Sequence, residues 1–376
     1  MDMKTTNLTN KIRHIATAVI FAGLLLFFGI GALISPDREY SVFERRKLEQ
    51  MPVYAEYEDL AAYFSAWETY LTDQFLFRDE LRFLKSGFAH GVLGQYDVNG
   101  YYSEGGSQAQ ILYPMNEENF TANIQLMEDL RQQYFSDSPV YYGVIPDKSY
   151  YMDAPLGLDY DRIHALFGNT LQAKQIPLAE NLTLSDYYAT DIHWKQENLK
   201  GVYNAFTTVM NPALPAWKFQ VKSAGDFYGV LYGQAAMPAK KDQMNYLTNS
   251  AMEAYTVTLL NIGSDMSVTQ SEKKLYDLEA FAGDDAYDLY MGGEEPMLRI
   301  VNPNAATEKK LILFRDSFGR SIAPLLAEGY SEIILVDLRW IRSMALPLFA
   351  DYFAADENTD VLFLYSAQVL NSMMLG

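Results

Sequence analysis

Two short stretches, far apart in the chain, hold the residue types of acyl-transfer chemistry. Asp191-Ile192-His193-Trp194 offers a carboxylate and an imidazole; Arg315-Asp316-Ser317-Phe318 offers a hydroxyl. A serine hydroxyl attacks an ester only when a base takes its proton. A histidine does this best when a carboxylate sets its tautomer and stabilises the imidazolium. Asp191 and His193 are two residues apart, and in extended backbone such side chains share a face. Ile192 would then point away, and Trp194 would wall the site against water. The chain has only four histidines, so this one carries more information than it would in a His-rich protein.

Each motif also admits a structural explanation. Asp316 or Ser317 would cap a following helix, and Asp191 would hold a structural histidine at a helix start. Asp191 with His193 also makes two-thirds of a facial metal site, but no second histidine has ligand-like spacing: His164 is distant and His90 ends an early helical segment. No metal and no cofactor are expected. The absence of cysteine excludes a thiol nucleophile, thiolate-bound metal and disulfides.

These groups need a scaffold. Residues 140–145 (VYYGVI), 310–314 (KLILF), 332–336 (EIILV) and 361–365 (VLFLY) are short β-branched and aromatic runs that predict buried strands. Residues 116–134, 196–210 and 321–330 have helical spacing. Strands alternating with helices predict a mostly parallel sheet with helices on both faces. Ser317 then falls at the carboxyl end of a strand, where such sheets bind ligands, and at a helix start whose free N–H groups suit an oxyanion. Apolar residues from Glu56 to about Leu93 also recur at helical spacing (Leu60, Tyr63, Phe64, Trp67, Leu71; then Phe77, Leu81, Leu84, Phe88). They predict one or two amphipathic helices whose aromatics form a core. Residues 238–293 show no clear periodicity.

Near the N-terminus, residues 15–34 are apolar and uncharged, long enough at 1.5 Å per residue to cross a bilayer. A cleaved signal would have a shorter apolar region and an A-x-A-like site, which Gly31-Ala32-Leu33-Ile34-Ser35 does not supply cleanly. Residues 1–14 carry Lys4, Lys11 and Arg13 against Asp2. Of the 29 basic and 48 acidic residues in the chain, 26 and 47 therefore follow. Basic flanks stay inside, so the remainder is expected outside, and its net charge of −21 argues against nucleic acid. The expected organisation is a cytoplasmic tail over 1–14, a transmembrane anchor over 15–34, a membrane-proximal linker and helices over 35–95, and an α/β domain over 96–376.

The DIHW stretch, followed at a distance by DSF between strand and helix, resembles the DHHW family, related to the alginate O-acetyltransferases of the SGNH hydrolase-like superfamily. Phe43-Glu44-Arg45-Arg46-Lys47-Leu48 with Pro52 is similar to that family's membrane-proximal signature, and Asp73-Gln74-Phe75 with Phe77-Arg78 to its "D-x-F…R" helix. Pro146-Asp147-Lys148 is similar to its "PxK", and Asp337-Leu338-Arg339-Trp340 to the end of the strand after the nucleophile helix. The resemblance runs from about residue 40 to the end. It implies a three-layer SGNH hydrolase-like α/β sandwich, with Ser317 as nucleophile, His193 as base and Asp191 as orienter. Two positions depart from it: Ile192 stands where the family name has His, and Arg315 where a Gly is usual. No Gly-x-Asn-Asp stretch supplies an oxyanion-hole asparagine. The backbone amides of Ser317 and a neighbour are expected to serve instead, with Arg315 lending charge and Asp316 and Trp194 supporting the site.

The function so implied is O-acetyl transfer or ester hydrolysis on a cell-surface polysaccharide, at a single-pass cell membrane with the catalytic domain outside. A transferase also requires an acyl donor there, hence a membrane-bound acyl-donor protein as partner. A non-catalytic glycan-binding or envelope-assembly protein on the same fold is the alternative. The 28 tyrosines and 4 tryptophans suit sugar stacking as well as core filling.

Overall fold

The computed structural model describes residues 3–210, 214–353 and 356–376, and the chain divides into two compact units, Met1–Gly94 and Gln95–Gly376.

The first unit begins with helix α1 (Met3–Ile34), in which Asn10–Ala32 is apolar enough to cross a membrane. Helices α2 (Leu60–Asp73) and α3 (Arg78–Gly91) follow. The Asp59 carboxylate accepts from the Ala62 amide and caps α2. The stretch expected as a linker folds back onto these helices. Arg46 donates two hydrogen bonds to the Asp73 carboxylate, at 2.8 and 2.6 Å, the Glu49 amide adds a third at 2.9 Å, and Arg78 pairs with Glu44. The aromatic stripes do not make the core expected of them: Phe64, Phe77, Leu84 and Phe88 remain 53–68% exposed. Helical spacing shows that a helix has an apolar face but is silent on what that face meets.

The second unit is built on an eight-stranded sheet. In chain order its strands are β1 (Val140–Ile145), β2 (Lys174–Gln175), β3 (Thr256–Ile262), β4 (Val268–Lys273), β5 (Met297–Val301), β6 (Lys310–Arg315), β7 (Glu332–Val336) and β8 (Thr359–Ser366). Across the sheet they run β4-β3-β5-β7-β6-β8-β1-β2. The stretch from β7 to β2 is parallel, while β5, β3 and β4 extend it antiparallel. Successive side chains alternate between faces. Leu311, Leu313 and Leu362 therefore pack on α6 (Lys200–Val209) and α7 (Ser317–Leu326), whereas Ile312, Phe314 and Phe363 pack on α4 (Glu117–Tyr134) and α5 (Tyr160–Thr170). Burying each such side chain contributes about 1.5–3 kcal/mol, and cover on both faces explains why these strands read as continuous apolar runs. The result is the three-layer α/β sandwich expected, with a mostly parallel sheet.

Two details differ from expectation. The helix placed at 321–330 starts earlier, at Ser317, because Asp316 caps it by accepting from the Phe318 amide. The stretch without periodicity contains strand Asp242–Thr248 as well as β3 and β4. β4 (VTQSEK) is a largely exposed edge strand, so its sequence lacks the apolar signature.

Candidate active site

Ser317 is the first residue of α7, directly beyond the carboxyl end of β6. Asp316 is extended and wholly buried. One of its carboxylate oxygens caps Phe318 N–H at 3.1 Å and the other accepts from Ser366 N–H at 2.7 Å, at the end of β8. Strand–turn–helix geometry and two backbone anchors thus fix where the Ser317 hydroxyl points.

His193 reaches it from the opposite loop. Its Nε2 lies 2.7 Å from Ser317 Oγ and its Nδ1 lies 2.6 Å from Asp191 Oδ1. With the carboxylate accepting, Nδ1 carries the proton and Nε2 is left to accept from the serine hydroxyl. Asp191, His193 and Ser317 are 1, 5 and 7% exposed. The shared face expected of Asp191 and His193 is present, but on a bend rather than a strand: Asp191 Oδ1 also accepts the His193 amide, at 3.1 Å. The other Asp191 oxygen accepts Val230 N–H at 3.1 Å.

The loop carrying Asp191 is clamped. The Asp242 carboxylate accepts the Ala189 and Thr190 amides, both at 2.7 Å. Lys148 Nζ donates to the Ala189 and Asp191 carbonyls at 2.9 and 3.1 Å. Burial drives the Lys148 ammonium down to about 7, partly opposed by Asp191 and Asp242. Gly229 sits so close that a Cβ there would lie 2.3 Å from Asp191 Cβ and 2.4 Å from Thr190 O.

Behind the imidazole, Tyr287 stacks on His193 with centroids 3.6 Å apart and planes 6° from parallel. The Arg320 guanidinium carbon lies 5.4 Å from the centroid of the same tyrosine ring. Tyr287 Oη and Trp194 Nε1 each donate to Ser321 Oγ at 2.7 Å. Trp194 is wholly buried and packs edge-on against Phe318 at 5.3 Å. It is a packing neighbour of the site and does not line the opening, contrary to its expected role as a wall.

Arg315 and Asp316 are also placed differently from expectation. The Arg315 guanidinium is fully buried, donating to Asp337 at 3.0 Å and to the Glu295 carbonyl at 3.1 Å. Asp337 additionally binds Arg339 through bonds of 2.9 and 2.6 Å. Arg315 is thus committed to an ion pair, Asp316 to backbone amides, and the Phe318 amide to Asp316. Burial also pushes the Asp316 carboxyl upward, against the pull of Arg339. The Ser317 amide, first in its helix, has no intrahelical carbonyl to meet.

A shallow depression of about 300 Å³ adjoins these residues, lined by Ile192, Phe318, Lys148, Asp147, Gln110 and Gln368 among others. Gln368 Nε2 donates to Gln110 Oε1 at 2.9 Å. Sequence reasoning placed no site role on Tyr287, Ser321, Gln110, Gln368 or Asp242. Tyr287 and Asp242 lie in the stretch without periodicity, and nothing local distinguishes Tyr287 from the other tyrosines. Among the described residues no His/Cys/Asp/Glu cluster is arranged to hold a metal ion.

The DHHW protein family model matches residues 180–336. Among curated proteins none matches the chain. Among solved structures, a DHHW family protein from Eubacterium siraeum is 18% identical, with TM-score 0.58 over 74% of this chain and 94% of that one. Bacillus cereus PatB1 with a sulfonyl adduct is 20% identical, with TM-score 0.55 over 73% and 96%. PatB1 without the adduct gives TM-score 0.51 at 19% identity over 73% and 97%. At such identities these likenesses bear on the fold. The matched stretch contains Asp191, His193, Arg315, Asp316 and Ser317, so the resemblance to the DHHW family is borne out over the residues that make this site.

Proposed function

We propose that the chain is a membrane-anchored, extracytoplasmic O-acetyltransferase or acetylesterase acting on a cell-surface polysaccharide. The observation that carries this reading is the buried hydrogen-bonded line Ser317 Oγ–His193 Nε2 and His193 Nδ1–Asp191 Oδ1 at 2.7 and 2.6 Å. Ser317 Oγ attacks the acetyl carbonyl of the donor while His193 Nε2 takes its proton. The imidazolium returns that proton to the departing alcohol, leaving acetyl on Ser317. A sugar hydroxyl or water, deprotonated by His193, then attacks the acyl-enzyme; the first outcome is transfer and the second hydrolysis. Asp191 stabilises the imidazolium in both halves. The Ser317 amide is the donor best placed for the oxyanion.

The DHHW model match supports this reading, as does the sulfonyl adduct recorded for PatB1, since a sulfonyl group is an electrophile of the kind nucleophilic hydroxyls capture. Helix α1 supports the anchor, and the basic residues before it support an outside location. A membrane-bound acyl-donor protein is the partner that transfer outside the cell requires. The alternative, a non-catalytic glycan-binding or envelope-assembly protein, is favoured by the prior commitment of Arg315 and the Phe318 amide. The full chain in detergent should release p-nitrophenol from its acetate ester and lose that activity in Ser317→Ala; equal inertness of the two sinks the enzymatic reading. Adding candidate oligosaccharides and weighing them for an acetyl increment separates transferase from esterase.

A further inference from the structure

Helices α2 and α3 are inside out for a water-soluble helix pair. The residues they bury are Asp73 on α2 and Arg78, Ser86 and Ala89 on α3. The residues they expose are Leu60, Phe64 and Leu71 on one side of α2, and Leu84 and Phe88 on one side of α3, each more than half accessible. Charged groups are turned inward, where Asp73 meets Arg46 and Arg78 meets Glu44. In water, burial of apolar side chains is the main driving force and ion pairs are left outside. The reversed arrangement suits a surface that meets hydrocarbon.

The turn between the two helices says which hydrocarbon. Phe75 stacks on Phe28 of α1 with centroids 5.0 Å apart, and Phe77 on Phe27 at 6.5 Å. Leu76 lies so close to Gly31 that a Cβ there would come within 2.6 Å of its Cδ2. Phe27 to Gly31 belong to the last turns of the apolar span Asn10–Ala32. The turn is therefore held at the depth of the outer end of that span, and the apolar stripes of α2 and α3 continue the apolar surface of α1.

We infer that α2 and α3 form a hairpin lying in the outer leaflet, with Leu60, Phe64, Leu71, Leu84 and Phe88 in the acyl boundary of a phospholipid bilayer. This inference rests on the reading of α1 as a membrane span, and makes the anchor a three-helix element. The hairpin's internal ion pairs are then shielded from water on the lipid side, which strengthens them.

The absence of cysteine allows single nitroxide labels without background. The full chain, reconstituted into vesicles of phosphatidylcholine with phosphatidylglycerol, would carry Phe64→Cys, Leu84→Cys or Phe88→Cys on the stripe. Thr69→Cys serves on another, exposed side of α2, and Leu24→Cys on α1. Power saturation compares collision with oxygen, which partitions into lipid, and with a nickel chelate, which stays in water. At 64, 84 and 88 oxygen should exceed the chelate, as at 24, with the order reversed at 69. If 24 reads as lipid while the stripe reads as water, or as shielded from both reagents, the hairpin proposal falls and the span stands; a shielded stripe would mean a protein cover. If 24 itself reads as water, the span reading fails and the proposal with it.

Discussion

Removing the Asp337 carboxylate should destabilise the second unit far more than removing its partner Arg315. Asp337 and Arg315 are both fully buried, and Asp337 binds Arg315 at 3.0 Å and Arg339 at 2.9 and 2.6 Å. In Asp337→Ala the Arg315 guanidinium keeps only the Glu295 carbonyl, and stranding a buried charge costs about 3–5 kcal/mol. At about 2 °C per kcal/mol for a unit of this size, the melting temperature should fall by about 6–10 °C. Arg315→Met leaves Asp337 paired with Arg339, so its loss is set by one charged hydrogen bond, about 1.5–3 kcal/mol. The double variant should be more stable than Asp337→Ala alone, since no stranded guanidinium remains. Thermal unfolding followed by circular dichroism on the four proteins measures all three quantities. A loss under about 1 kcal/mol in Asp337→Ala, or a double variant as unstable as the sum of the singles, would refute the stranded-charge reasoning. The same proteins report on the oxyanion: Arg315→Met should keep its turnover, and a stable but inactive variant would return Arg315 to the chemistry.

Other perturbations probe the site more closely. Free lysine holds its proton to about 10.5 and Lys148 only to about 7, so between these values the unfolded chain binds more protons and stability rises with pH. The urea stability of wild type minus that of Lys148→Met should therefore climb from pH 7 to 10 and be flat below 7; a flat difference throughout contradicts the burial. Gly229→Ala forces a methyl against Asp191 and the Thr190 carbonyl. It should cost about 1–3 kcal/mol and lower kcat, and wild-type turnover would show that the loop moves freely. Tyr287→Leu removes the ring stacked on His193, an interaction of about 0.5–1.5 kcal/mol, so kcat should drop by up to roughly tenfold. Tyr287→Phe keeps the ring and should stay closer to wild type, and equal effects would place the role in the hydroxyl.

Much of this architecture is legible in the sequence where one local cause dominates. Strands β1, β6, β7 and β8 are covered on both faces, so each is a short apolar run that reads unambiguously. Asp191, His193 and Ser317 could be paired because their chemistry is complementary and the histidines are few. What escaped depends on neighbours distant in the chain. The conflict between Arg315 as oxyanion support and Arg315 as ion-pair partner turns on Asp337. Tyr287 and Asp242 act through contacts with residues many positions away, and no spacing rule relates them to His193 or Ala189. On α2 and α3 the periodicity was plain, but the same stripe serves a core or a membrane.

The central claim, that Ser317 is a nucleophile activated by His193, is tested most directly by a serine-reactive phosphonate and mass spectrometry. The full chain in detergent should gain one adduct mass, mapped to Ser317. Ser317→Ala should gain none, and His193→Ala should label far more slowly. An unlabelled wild type, or an adduct on another residue that persists in Ser317→Ala, would contradict the account.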